Sequence, residues 1–435
     1  MAPRTDGPDA LTPARIRLAL LALALGGFAI GATEFVAMGL LPNIAADLLP
    51  HLYASSPEEA TAQAGWMISA YALGVVVGAP TIAAAAARLP RKTLLLWLLV
   101  TFTLGTIGAA VAPTFGLVLV ARFIAALPHG AYFGIASLVA ASLMGPGKRG
   151  RGVAFVLSGL TISNVIGVPV VTWIGQQAGW RVAYLVVAAI FALTFVAVAL
   201  AVPWRPGNAH ATMRRELTAF TRTQVWFALA IGAIGFGGLF ALYTYIAPLV
   251  TEVAGLPEGA VPLMLVCCGL GMTVGNAVGG AMADRSVKRT MLSGFAVLMV
   301  ALVALGLLAQ NVFALAAGTF LVGASASVIS PAIQTRLMDV ARDSQSIAAA
   351  LNHSALNIGN SLGAFLGGLA IAAGFGYRAP IWVGLVLTVC GLVLAIGTFA
   401  LDRVRAARGI PLPGHTGGVE TRGVETGGVE VVGAR

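Results

Sequence analysis

Hydrophobic residues in this chain are grouped into long runs, each about as long as a helix that crosses a membrane. Twelve mostly apolar runs are separated by short polar breaks, which hold most of the charged residues. A helix that crosses a bilayer needs about 20 mostly apolar residues, and each run reaches that length. The pattern therefore predicts an all-α integral membrane protein of twelve transmembrane helices. Numbered α1 to α12, the runs are 16–41, 64–87, 93–112, 114–143, 151–176, 180–203, 223–250, 259–283, 289–309, 311–336, 344–374 and 378–401.

Composition excludes a water-soluble fold. Of the 435 residues, 58% are hydrophobic and 10% are charged, a balance that a soluble core cannot absorb. The formal net charge is +10, but the cations lie in small clusters between apolar runs, so nucleic acid is not predicted as a partner. Three cysteines lie inside apolar runs and predict neither a disulfide framework nor a metal site. They are Cys267, Cys268 and Cys390.

Basic residues predict the orientation in the membrane. With the N-terminus inside, 23 of the 26 Lys and Arg residues fall on the cytoplasmic side, as the positive-inside rule requires. The exceptions are Arg181 and Arg378 on the outside and Arg122 within α4. The chain is predicted to be a multi-pass membrane protein with both termini in the cytoplasm.

The two halves of the chain repeat each other. A shift of 197 residues places Gly74 on Gly271 and Arg181 on Arg378, so that α2 to α6 align with α8 to α12. A parallel duplication of six helices is typical of two-bundle transporters. The predicted organisation is two pseudo-symmetric six-helix bundles. Its parts are an N-terminal cytoplasmic segment at 1–15, a bundle at 16–203, a cytoplasmic linker at 204–222, a second bundle at 223–401 and a disordered cytoplasmic tail at 402–435.

The loop after α8 carries a family resemblance. Residues 280–289 read GAMADRSVKR, which resembles the signature loop of the major facilitator superfamily, found after the second helix of each half. In the first half Ala87 stands at the acidic position of the same loop. This departure removes the expected charge relay from the first loop, whereas the second copy keeps it.

Two further stretches resemble one branch of that superfamily. Residues 31–47 of α1, together with Arg122 and the sequence LPHG at 127–130 of α4, are similar to the twelve-helix drug:proton antiporters, in particular the sugar-efflux-like and chloramphenicol-resistance exporters. The antiporter motif of α5 is degenerate, because Asn164 and Val168 stand where glycines are expected. The resemblance implies a fold of two bundles whose α1 and α4 line a central cavity.

Ionisable groups deep in the apolar runs are candidates for function, because each costs about 2.5 to 3.5 kcal/mol to insert. On the cavity-forming helices they are Glu34, Arg122 and His129. Glu34 and Arg122 each lie eight residues from the outer end of their helix, roughly 12 Å deep at 1.5 Å per residue. We interpret them as a proton-coupling pair in which Arg122 tunes Glu34. The alternative is a static buried ion pair that holds the first bundle together.

Other polar positions complete a predicted substrate site. His129 lies two turns after Arg122 on one helix face and is suited to bind substrate or relay protons; alternatively it only joins helices by a hydrogen bond. His353 in α11 is interpreted as structural. The predicted substrate-binding set is Glu34, Met38, Tyr71, His129, Asn164 and Asn357, and the predicted gating loop is Asp284 and Arg285.

These observations and the resemblance together predict a secondary active exporter of small amphiphilic organic molecules, such as drugs or antibiotics of the chloramphenicol kind, in exchange for protons. A carrier of a sugar, nucleoside or amino acid is the nearest alternative. An intramembrane enzyme is a third, but no zinc-binding spacing or nucleotide-binding loop is present. The one Gly-x-Ser-x-Gly match, residues 359–363, lies inside the predicted helix α11 and not at the strand-to-helix turn of a nucleophile elbow. The expected partners are the substrate, protons and the bilayer, with no cofactor, and the chain is expected to be a monomer.

Overall fold

The computed structural model describes residues 12–85, 89–144, 149–204, 222–341 and 345–408. Regular structure within these residues is entirely helical. Eleven of the described helices are long and apolar enough to cross a membrane. One of them, Val261–Leu308, has 48 residues and is broken at Ser286, so it is long enough to cross twice. The predicted all-α fold of twelve transmembrane helices is confirmed.

Most helix boundaries lie within a few residues of the predicted ones. In the first half the bounds are Pro13–Gly39 for α1, Trp66–Ala85 for α2, Arg91–Val111 for α3 and Trp180–Ala201 for α6; α4 consists of Phe115–Ala126 and His129–Met144, and α5 of Arg149–Ile162, Ser163–Gly167 and Val168–Ala178. In the second half the bounds are Val261–Leu308 for α8 and α9 together, Val312–Ala341 for α10 and Ala379–Ala407 for α12. Helix α7 consists of Thr223–Ala230, Ile231–Gly235, Gly237–Thr244, Ile246–Pro248 and Leu249–Val253, and α11 of Gln345–Ala370 and Ile371–Phe375.

Proline and glycine explain the interruptions. Helix α4 is broken just before His129, where Pro128 cannot donate the backbone hydrogen bond of a continuous helix. Helix α5 has a π-helical turn at Ser163–Gly167, which ends two residues before Pro169. The glycines of α7 have a second effect, because they let this helix approach α12 closely. A Cβ atom placed on Gly238 would lie 3.0 Å from the Gly384 carbonyl oxygen.

The stretch between α1 and α2, which lies outside the predicted transmembrane runs, forms three short helices. They are Leu41–Leu48, Pro50–Ser55 and Pro57–Ala64, each with a proline in its first turn, where the missing N–H is not needed. The first of them is attached to α6, because Asp47 accepts a 3.0 Å hydrogen bond from the Trp180 indole and forms an ion pair with Arg181. Sequence periodicity missed these helices because they are shorter than a membrane span.

Packing arranges the helices into two groups. In the first, α1 packs on α5 and α6, and α2 on α4; in the second, α7 packs on α11 and α12, and α8 on α10. The groups meet where α2 lies along α11 and α5 along α8. Hydrogen bonds between described residues join them there, among them those from Ser69 Oγ to the Ser361 carbonyl at 3.3 Å and from Gln176 Nε2 to the Glu258 carbonyl at 2.9 Å.

Helix α12 extends beyond its predicted end at residue 401 and reaches Ala407. The extension is anchored by Asp402, which accepts hydrogen bonds from Arg336 Nη2 at 2.6 Å and from Gln224 Nε2 at 2.7 Å. Outside the described residues lie 1–11, most of the predicted linker at 204–222, the tail from residue 409 onward, and the Ala87 position of the first signature loop.

We expect both termini and the linker to face the cytoplasm, because 23 of the 26 basic residues then lie inside. In a background without Cys267, Cys268 and Cys390, a cysteine at Ser55, which is exposed at the predicted outer side, should react with an impermeant maleimide added to intact cells. A cysteine at Ala209 in the linker should react only after the cells are opened. The reverse labelling pattern would contradict this orientation.

Candidate substrate and proton site

The two predicted charges inside the membrane lie next to each other. Glu34 of α1 is 5% exposed and Arg122 of α4 is fully buried. Arg122 Nη1 donates to the Thr33 carbonyl at 2.7 Å and to the Thr33 hydroxyl at 3.2 Å. The guanidinium is therefore attached to the residue that precedes Glu34, which agrees with the equal depth expected from their positions along α1 and α4.

Aromatic side chains enclose the guanidinium. Its central carbon lies 4.3 Å from the centre of the Tyr71 ring and 5.4 Å from that of Tyr184, distances at which a ring face attracts a cation. The Nε and Nη2 atoms of Arg122 have no hydrogen-bond partner among the described residues. Part of the hydrogen-bonding capacity of this buried cation is thus unused in this conformation.

Glu34 and Arg122 do not form a direct ion pair. Among the described residues, the charge pairs within 4.0 Å are Arg181 with Asp47 and Arg336 with Asp402. Arg122 nevertheless acts on the Glu34 carboxyl group through space. This arrangement differs from the static ion pair that the sequence left open, because the carboxylate is not held by the cation.

The second half of the chain contributes Asn360 to the same place. The side chain of Asn360, in α11, lies beside the Glu34 carboxyl group. Asn360 is fully buried, and neither polar atom of its amide completes a well-aligned hydrogen bond with a described residue. Because α1 and α11 belong to different bundles, the surroundings of Glu34 depend on how the two bundles are positioned.

A second cluster joins the halves nearby. The Tyr71 hydroxyl and His129 Nδ1 are 3.3 Å apart. The His129 ring centre lies 6.1 Å from that of His353 in α11, and His353 stacks on Phe133 at 5.4 Å with an interplanar angle of 1°. His353, interpreted from the sequence as structural, thus meets two aromatic rings of α4 across the interface between the bundles.

The remaining predicted binding residues are more dispersed. Met38 is fully buried, one turn beyond Glu34. Asn357 donates within α11 to the backbone carbonyl of His353, one turn earlier, at 3.0 Å. Asn164 lies in the π-helical turn of α5 and donates to the Met272 sulfur of α8 at 3.6 Å. It lies at the α5 and α8 contact, away from the Tyr71 and His129 pair.

The predicted substrate-binding set leaves out Thr33, Tyr184 and Asn360, although Asn360 is one of the polar positions on inner helices that the sequence offers as cavity-lining. For Asn360 a signal existed, because His353, Asn357 and Asn360 are spaced by four and three residues and so share one face of α11. Thr33 and Tyr184 carried no such signal, since hydroxyl-bearing residues are common in transmembrane helices and often bond within their own helix.

Several buried polar atoms without a hydrogen-bond partner among the described residues lie around Glu34 and Arg122. They belong to Arg122, Tyr184, Tyr243 and Asn360. A buried polar atom without a partner costs about 1 to 3 kcal/mol. Such a cluster is therefore suited to receive a ligand that carries hydrogen-bonding groups.

The predicted gating loop lies apart from this cluster. Asp284 and Arg285 are exposed, and their side chains make no ion pair or hydrogen bond with a described residue. The helix axis breaks directly after them at Ser286, with φ −166° and ψ 101°. The Ser286 hydroxyl accepts from the Arg289 backbone N–H at 3.3 Å, which caps the start of α9.

Asp284→Asn is expected to slow transport with little loss of substrate binding, because this carboxylate is free here to pair in another state of the cycle. Transport rate and substrate affinity should be compared at matched expression. Glu59→Gln, which neutralises an exposed acid on the opposite side, is the control and should change neither. Equal rates for Asp284→Asn and the parent would remove the gating role.

Comparison with known proteins decides the family. The family model of the Major Facilitator Superfamily matches residues 23–275 and 248–426. The chain belongs to this superfamily. It is therefore a multi-pass membrane transporter, and the enzyme alternative is set aside because the matched family and relatives are transporters.

Relatives and solved structures agree over nearly the whole length. The inner membrane transport protein YdhP of Escherichia coli K12 is 38% identical over 88% of this chain and 95% of its own. A chloramphenicol resistance protein of Streptomyces lividans is 31% identical over 87% of this chain and 95% of its own. The fold matches a crystal structure of a bacterial homologue of the human lysosomal transporter Spinster, with a TM-score of 0.71 at 16% identity, covering 90% of this chain and 99% of that one.

Proposed function

We propose that this chain exports small amphiphilic organic molecules from a bacterial-type cell, across the inner membrane, in exchange for protons. The observation that carries the proposal is the position of Glu34. It is a buried carboxyl group in α1, under the influence of Arg122 in the same bundle and of Asn360 in the other. A titratable group at the junction of two moving parts changes its surroundings when they move.

The proposed cycle follows from this arrangement. When the bundles change their relative position, Asn360 leaves or approaches Glu34, and the stability of the charged carboxylate changes with it. Substrate that binds among the unsatisfied polar atoms then competes with the proton for the same group. One proton entering is worth about 2.3 kcal/mol per 100 mV of membrane potential, enough to drive a neutral substrate outward.

The similarity to a chloramphenicol resistance protein over 87% of this chain supports an antibiotic of that kind as substrate. Expression in an efflux-deficient bacterium should raise the inhibitory concentration of chloramphenicol or of related amphiphiles. Dissipating the proton gradient should cancel the protection. Uptake of a sugar, nucleoside or amino acid by the same cells, without any resistance, would favour the carrier alternative instead.

A further inference from the structure

A cavity of about 170 Å³ lies between α9 and α12, where α9 begins after the break at Ser286. It is lined by Lys288, Leu292, Ile396, Phe399, Ala400 and Arg403. The two cations lie at the ends of their helices, and the apolar residues lie on the side of the membrane interior. The cavity is thus cationic at the membrane surface and apolar below it.

Within the described part of the chain, no carboxylate pairs with either cation. The nearby carboxylate of Asp402 is occupied by Arg336 at 2.6 Å and by Gln224 at 2.7 Å. Among the described residues, the side chains of Lys288 and Arg403 make no ion pair or hydrogen bond. The ammonium group of Lys288 lies 6.0 Å from the centre of the Phe399 ring, and the start of α9 adds the positive end of a helix dipole.

We propose that this cavity binds the phosphate headgroup of an anionic phospholipid between Lys288 and Arg403. Basic pockets between transmembrane helices at the membrane surface favour anionic lipid headgroups. A lipid fits better than a free anion, because the wall continues into the apolar Leu292 and Ile396, and Ile396 is 52% exposed on the outer face of the bundle. An acyl chain lies along this face while its phosphate meets the cations.

The test uses the full chain in detergent and native mass spectrometry. Phosphatidylglycerol and phosphatidylethanolamine of equal chain length are titrated against the parent and against the double variant Lys288→Gln, Arg403→Gln. The parent should retain one phosphatidylglycerol more tightly than phosphatidylethanolamine, and the double variant should bind it ~30-fold more weakly, since two surface cations are lost. Soluble glycerol phosphate at the same concentration should not displace the lipid.

Two further variants make the result specific. Arg17→Gln with Arg151→Gln removes two exposed cations of the first bundle, at the same predicted membrane face, and should leave lipid binding unchanged. Ala400→Phe fills the cavity with both charges intact and should weaken binding as the double variant does. Thermal unfolding without lipid identifies a variant that fails to fold.

Several results would overturn the proposal. Equal retention of the two lipids by the parent would exclude recognition of the anionic headgroup. Equal losses in the two charge-removed double variants would mean general surface attraction. Unchanged binding by folded Ala400→Phe protein would place the lipid elsewhere, and displacement by glycerol phosphate would identify a free anion as the ligand.

Discussion

Glu34→Gln is expected to abolish uphill export to the level of empty vesicles, while substrate exchange in the absence of a proton gradient continues. The amide resembles the protonated carboxyl group in shape but cannot release a proton, so the substituted protein cannot complete a cycle that returns a proton. The site itself should still admit substrate, because its neighbours Arg122, Asn360 and Tyr243 are unchanged.

The measurement combines export driven by a proton gradient, substrate counterflow in proteoliposomes, and proton release on substrate addition to solubilised protein. Glu258→Gln, which neutralises an exposed carboxylate near the outer side, is the matched control and should behave like the parent. Undiminished proton release from Glu34→Gln protein would mean that another group carries the coupled proton.

Arg122→Ala, measured alongside, separates two roles of the cation. It removes the charge that acts on Glu34 and also the donor to the Thr33 carbonyl. If Arg122 tunes the proton site, the pH dependence of the substrate-induced release changes while some release remains. If the Arg122→Ala protein releases protons with the same pH dependence as the parent, Arg122 contributes to helix packing alone.

Asp402→Ala is expected to destabilise the protein by about 3 kcal/mol, because it leaves the buried guanidinium of Arg336 without its partner. The side chains of Arg336 and Asp402 are only 7% and 14% exposed. The change also removes the acceptor for Gln224, so α7, α10 and α12 lose their common attachment. The free energy of unfolding in detergent measures the effect.

Two comparisons control this prediction. Replacing both partners by apolar residues, Arg336→Met with Asp402→Leu, should recover most of the stability, since no unpaired charge remains buried. Asp47→Ala breaks an ion pair whose side chains are 35% and 46% exposed, and should cost about 1 kcal/mol or less. If the two alanine variants are destabilised equally, the Asp402 pair does not behave as a buried one.

Membrane physics explains why so much of the fold was predictable. A transmembrane helix must satisfy its backbone internally and cover about 30 Å of hydrocarbon, so hydropathy alone placed α3 at 93–112 and α6 at 180–203, against observed Arg91–Val111 and Trp180–Ala201. Hydropathy did not reveal the short helices between α1 and α2. Those depend on the prolines in their first turns, on the Ser56 cap of the third, and on the attachment of Asp47 to α6.

The candidate site was predictable only in part. Glu34, Arg122 and His129 stood out because an ionisable side chain in an apolar run is costly and therefore rare. Nothing in the sequence indicated that Arg122 bonds to Thr33 rather than to Glu34, or that Glu34 faces Asn360. The cationic cavity between α9 and α12 was likewise invisible, since Lys288 and Arg403 lie 115 residues apart.

The sequence by itself determined the number of helices, their approximate ends and the identity of the costly charges, because these depend on each segment's own free energy in the bilayer. Tertiary structure decided which side chains meet. That outcome depends on how each helix is rotated and how closely it approaches its neighbours. A Cβ placed on Gly275 would lie only 2.0 Å from the Ala324 carbonyl oxygen, so α8 and α10 approach this closely only because Gly275 has no side chain. Contacts of this kind are spread over all twelve helices and act together, so no single segment encodes them.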